Sequence, residues 1–84
     1  MSNIIIISQD KKNAMNYNNI FALGMEERYY EGKLKEWRIA AKNVGTGHLT
    51  TLGFYSSEYR CMEVFNAITD KIIREVGRIE MPER

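Results

Sequence analysis

Cys61 and His48 are the only thiol and the only imidazole in the chain. Together they are the one pair with the ingredients of nucleophilic catalysis, a thiol and a base. Their settings argue against that use. Cys61 falls on the apolar stripe of a helical pattern, where a thiol packs as a small inert hydrophobe. His48 follows a glycine turn at the start of a strand, a place for a solvated imidazole. Glu26, Glu27 and Glu36 lie where two strands would face each other, which could pair carboxylates for acid–base work. Arg28, Lys33 and Lys35 beside them make surface ion pairs the simpler outcome. One Cys and one His cannot make a zinc set, and Asp10 stands alone in its loop, so no calcium loop is expected either. Gly45-Thr46-Gly47 lacks the further glycines and the lysine of a phosphate-cradling loop. No catalytic residue, metal or cofactor is expected, and the chain is read as a non-enzyme.

Binding chemistry has more candidates. Glu26, Glu27, Arg28, Tyr29, Tyr30 and Trp37 combine charge with large aromatic side chains and are the expected partner contacts. Arg28 and Arg38 are the candidates for a phosphorylated ligand, because a guanidinium matches phosphate geometry. Tyr17, Tyr29, Tyr30, Trp37, Tyr55 and Tyr59 could stack bases, with Lys11, Lys12, Lys33, Lys35 and Arg38 on the phosphates. Against nucleic acid stands a formal net charge of only +1, since the acidic residues nearly cancel the basic ones.

The elements that must position these residues follow from periodicity. At 84 residues, 44% hydrophobic and 27% charged, the chain reads as one globular domain, residues 1–84, with a core of marginal size. Residues 3–8 hold four consecutive isoleucines, β-branched and strand-forming. Residues 14–17 pair briefly before an asparagine-rich segment interrupts them. Residues 20–28 form a second strand, with Ile20 and Ala22 on one side and Phe21, Leu23 and Met25 on the other. Tyr29-Tyr30-Glu31-Gly32 turns the chain into a third strand over 33–43. There Trp37, Ile39 and Ala41 share one side and Glu36, Arg38 and Lys42 the other. A glycine turn leads to a fourth strand over 48–55, with Leu52 and Phe54 on one side and Leu49 and Thr51 on the other.

Ser56 or Ser57 caps a helix over about 57–77. Cys61, Phe65, Ile68, Ile72 and Val76 lie on one stripe, and Met62, Val64 and Ile73 widen it. Gly77 fits the position after the helix, and residues 78–84 are an expected fraying tail. The predicted fold class is α+β: a mainly antiparallel meander of about four strands, with one C-terminal helix across a face.

One helix covers one face of such a sheet, while the first two strands are apolar on both. The uncovered face would carry isoleucines together with some of Ile20, Phe21, Leu23 and Met25, a patch of the kind that marks an interface. A homodimer, a higher homo-oligomer or a foreign protein is expected to cover it. The alternative is that the chain's own terminal segments or tyrosine loop fold over it. A single cysteine needs no oxidising compartment, and the four-residue apolar run near the start is too short for a leader or a membrane span. A cytoplasmic protein that does not enter membranes is expected.

Two patches resemble small uncharacterised proteins of phages and prophages of Gram-positive bacteria. One is the apolar strand with Ser8-Gln9-Asp10-Lys11-Lys12 and the asparagines after it. The other is Leu52-Gly53-Phe54-Tyr55-Ser56-Ser57-Glu58 running into a helix. Tyr59-Arg60-Cys61 stands where that pattern has charged and alanine residues. The resemblance implies a non-catalytic protein that binds a bacterial host protein stoichiometrically. Its concrete form is an inhibitor of a defence system, such as an anti-CRISPR. The second reading is a module that holds a nucleotide signal or single-stranded nucleic acid at a subunit interface.

Overall fold

The computed structural model describes residues 3–84, apart from the side chains of Leu34 and Lys35. Its elements are β1 (Ile5–Ile7), β2 (Ala14–Asn16), a 3-10 turn (Tyr17–Asn19), β3 (Ile20–Tyr30), β4 (Lys33–Asn43), β5 (Leu49–Tyr55), α1 (Glu58–Ile73) and β6 (Arg78–Glu80). The class is α+β, with an antiparallel sheet and one helix packed on it. The expected four-stranded meander is corrected to three strands, β3-β4-β5, beside a separate mixed sheet, β2-β1-β6.

Local chemistry explains the split. The turn after β1 is built on Ser8 and Asp10: Ser8 Oγ donates to Asp10 Oδ1 at 2.6 Å, and Asp10 Oδ1 accepts from the Lys12 amide. This reverses the chain into β2, antiparallel to β1. Asn16 Oδ1 then accepts from the Asn18 amide and seeds the 3-10 turn. That turn breaks the strand pattern, so β3 leaves in a new direction and begins a second sheet.

The other partner of β1 comes from the far end of the chain. β6 pairs parallel to it, Ile6 opposite Ile79. The expected fraying tail is therefore corrected: Ile79 and Met81 are fully buried, and Tyr55 Oη donates to the Pro82 carbonyl at 2.9 Å. Removing two large apolar side chains from water, worth about 1.5–3 kcal/mol each, works together with the β1–β6 ladder and the Tyr55–Pro82 bond to offset the ordering of this segment.

Ser57 caps α1, its Oγ accepting from the Arg60 amide. The helix stops at Ile73, short of the expected Gly77. Glu75 takes the left-handed conformation (φ 58°), its amide donates to the Ile72 carbonyl, and the Val76 amide donates to that of Lys71. Those two bonds make a Schellman ending centred on Glu75. Gly77 instead offers its carbonyl to the Ile5 amide, which starts the β1–β6 pairing. Cys61, Val64 and Ile68 are buried on the inner face of α1, with Phe65 and Ile72 packed against the core. Met62, Ile73 and Val76 are exposed, so they do not widen or extend the stripe.

Both sheets and the helix share one core, which joins Ile4, Ile6 and Met15 to Ile39, Leu52 and Tyr55. Two bulges decide which side chains of the larger sheet face it. The β3–β4 register slips between Ile20 and Ala22, which leaves Phe21 without a cross-strand partner and 74% exposed, while Ile20, Leu23 and Met25 pack on the core. The β4–β5 register slips between Ile39 and Ala40, which sends Leu52 into the core and turns Phe54 outward. The expected sharing of sides by Phe21, Leu23 and Met25, and by Leu52 and Phe54, is corrected by these slips, since one extra residue reverses the alternation.

Candidate functional site

The face of β3-β4-β5 turned away from the helix carries most of the candidate residues. Pairing sets its order: Glu26 lies opposite Arg38, Arg28 opposite Glu36, and Arg38 opposite Phe54 on the other side. Arg38 donates from Nε to Glu26 Oε2 at 2.9 Å, and from its terminal nitrogens to the same oxygen and to Thr51 Oγ1. The pair is half buried, and its charges are committed to each other.

Arg28 is held differently. It donates to Tyr30 Oη at 3.1 Å, and its guanidinium carbon lies 5.5 Å from the Tyr30 ring centre and 5.7 Å from that of Phe54. Both distances lie within cation–π range. Among the described residues no carboxylate forms an ion pair with Arg28. Tyr30 Oη also reaches toward Glu36.

This geometry overturns the premise of a bare apolar face. The far side of the larger sheet bears Glu26, Arg28, Glu36, Arg38, Lys42 and Thr51 over a floor of Ala22, Gly24 and Ala40. The isoleucine strand that was to supply the grease belongs to the other sheet. There it meets the chain's own tail, with Ile4 and Ile6 buried and Ile5 and Ile7 half-buried.

The structure brings Glu26, Arg28, Tyr30 and Arg38 together on this face. Glu27 and Tyr29 lie on the opposite side of β3, where Tyr29 Oη donates to Glu27 and the neighbouring carboxylate holds the phenol above its usual pKa. Trp37, opposite Glu27, packs against the core. Of the expected pair Arg28 and Arg38, only Arg28 keeps its charge unpaired. Glu36 joins them on the side of Arg38 that alternation gave it, while Phe54 and Thr51 complete the face without having been singled out for it. Cross-strand register would have found them, but register depends on the bulge at Leu52, which no residue pattern announces.

Cys61 is fully buried, burial pushes its thiol pKa up, and no hydrogen bond joins it to the exposed His48. Among the described residues no group of three or more His, Cys, Asp or Glu side chains could hold a metal. No helix among them is long and apolar enough to cross a membrane.

A second feature lies at the sheet margin. The Leu52–Phe54 part of the β5 edge is covered by Gln9, which lies along it like a short strand: its amide donates to the Leu52 carbonyl, its Nε2 donates to the Phe54 carbonyl, and its Oε1 accepts from the Phe54 amide. The edge of β3 has no such cover among the described residues. Beside β3, an apolar groove of about 280 Å³ runs to the helix, lined by Tyr17, Leu23, Phe65, Thr69, Ile72 and Ile73. Compared with known proteins, the chain matches no family description, no curated protein and no solved structure.

Proposed function

We propose that this chain is a non-catalytic binding protein that engages a bacterial host protein stoichiometrically through the outer face of β3-β4-β5. The observation that carries the reading is Arg28, fixed between Tyr30 and Phe54 with no ion-pair partner of its own among the described residues. A preorganised arginine flanked by aromatic rings loses little side-chain entropy on binding, and Arg and Tyr dominate the energetics of protein interfaces. The face is an open sheet surface, which suits a partner's surface. The resemblance of two motifs to phage and prophage proteins is the ground for the host-directed form, an inhibitor of a defence system such as an anti-CRISPR. A cytoplasmic site of action belongs to the same proposal.

The test is capture of host proteins on the immobilised chain, wild type against Arg28→Glu and Tyr30→Ala. The wild type should retain one host protein in stoichiometric amount, and either variant should lose it with unchanged circular dichroism. Retention by both variants, or no stoichiometric species at all, refutes the reading. One observation favours a second reading, a nucleotide or single-stranded nucleic acid ligand: the same unpaired, ring-flanked Arg28 offers a cation beside stacking surfaces. A thermal shift with cyclic nucleotides or oligonucleotides that disappears in Arg28→Ala would select it.

A further inference from the structure

We propose that Gln9 is a positioning residue for Arg28. It clamps the backbone of Phe54 and so aims the ring on which the guanidinium rests. Arg28's use as a binding anchor rests on the function proposed above; Gln9 adds to it a residue from the turn of the other sheet.

The first observation is where Phe54 sits. The β4–β5 register slips immediately before Gly53, and Phe54 follows opposite Arg38. A bulge disrupts the ladder locally and bends the strand that carries it. A strand residue points its amide and its carbonyl to the same side. Those of Phe54 point to Gln9, whose Oε1 accepts from the amide and whose Nε2 donates to the carbonyl, both at 2.9 Å. Gln9 supplies on that side what a neighbouring strand would.

The second observation is that the clamp is itself fixed. Gln9 Nε2 also donates to the Glu83 carbonyl at 2.8 Å, and the Gln9 backbone amide donates to the Leu52 carbonyl at 2.7 Å. Both donors and the acceptor of the side chain are thus engaged, which sets the plane of the amide group. The segment at Glu83 is held in turn by Tyr55 Oη on the Pro82 carbonyl. Glutamate has the length of glutamine and its acceptor, but as a carboxylate it has no donor and would face two carbonyl oxygens.

The third observation is what the ring does. The Arg28 guanidinium carbon lies 5.7 Å from the Phe54 ring centre, close to the outer limit of about 6 Å for a cation–π contact, so a small outward displacement of Phe54 ends it. The other ring, Tyr30, is two residues from Arg28 on the same strand and also accepts its hydrogen bond. Only the Phe54 contact therefore depends on a distant clamp.

The test is NMR of the free protein. The ring-current contribution of Phe54 to the Arg28 side-chain protons is the difference between wild type and Phe54→Leu. Gln9→Ala and Gln9→Glu should each abolish most of that difference, and should speed exchange of the Phe54 amide about fivefold or more. Methyl resonances of Ile6 and Ile79 report the intact core and should stay in place. Lys11→Ala removes another contact between this turn and β6, the ion pair with Glu80, and should leave Arg28 unchanged. Arg28 shifts that keep their wild-type values in both Gln9 variants overturn the proposal. So does a Phe54→Leu protein whose Arg28 shifts match wild type, or a Lys11→Ala protein in which Arg28 moves as far as in Gln9→Ala. These readouts need no partner. Failed host capture beside a working clamp refutes the function alone, and unmoved Arg28 shifts beside successful capture refute the clamp alone.

Discussion

Replacing Gly53 with alanine should destabilise this protein, although alanine is the better residue in an ordinary strand interior. A Cβ at Gly53 would stand 2.8 Å from Tyr55 Oη, 3.0 Å from its Cε2 and 3.1 Å from its Cζ. The ring has little room to yield. Tyr55 is 2% exposed, and its hydroxyl is tied to the Pro82 carbonyl at 2.9 Å. Two effects oppose each other. Removing a strand glycine gains about 0.5–1 kcal/mol from the unfolded chain. Forcing the ring aside costs about 1–3 kcal/mol of overpacking, and loss of its hydrogen bond about another 1 kcal/mol. The clash wins, for a net loss of about 1–3 kcal/mol, or about 5–20 °C in Tm for a domain of this size. Urea denaturation of wild type, Gly53→Ala, Tyr55→Phe and the double variant measures it. Tyr55→Phe deletes the nearest atom, so the double variant should lose less than the sum of the single losses. A Gly53→Ala protein as stable as wild type, or strict additivity, would refute the packing argument.

Ile79→Ala should lower stability by about 2–5 kcal/mol, because the side chain is fully buried opposite Ile6; a urea midpoint within error of wild type would return residues 78–84 to a frayed tail. Alkaline pH should weaken the fold. Burial raises the Tyr55 pKa from 10.0 to about 12, so above pH 10 the unfolded chain releases a proton that the folded chain keeps, and stability falls as pH rises through that window. Burial raises the Cys61 pKa as well, and its contribution has the same sign from its ordinary value of 9.0 upward. Urea midpoints should fall between pH 8 and pH 11, less steeply in Tyr55→Phe; a flat or rising profile would contradict the assignment.

The helix and the β3–β4 hairpin were legible in the residues. Ser57 is a good cap, and the spacing of Cys61, Phe65, Ile68 and Ile72 marks one face of a helix. Alternation over Glu36–Lys42 marked the inner and outer sides of β4, with Trp37, Ile39 and Ala41 inward and Glu36, Arg38 and Lys42 outward. Of the candidate site, Glu26, Arg28, Tyr30 and Arg38 were chosen for their chemistry and share a face. Glu27 and Tyr29 were chosen with them, although the period of a strand puts them on the other side.

What the amino-acid order determined by itself is local: helix, turns and hairpin arise from groups a few residues apart, whose propensities and capping bonds need no distant partner. Only the tertiary structure decided that Ile79 lies beside Ile6, that Phe21 faces outward at one bulge and Leu52 inward at another, and that Gln9 covers the Leu52–Phe54 part of the β5 edge while no described residue covers that of β3. Those outcomes depend on contacts between residues far apart in the chain. There, buried isoleucine and methionine side chains act together with strand pairing against the entropy of a disordered tail, and no local pattern records that balance.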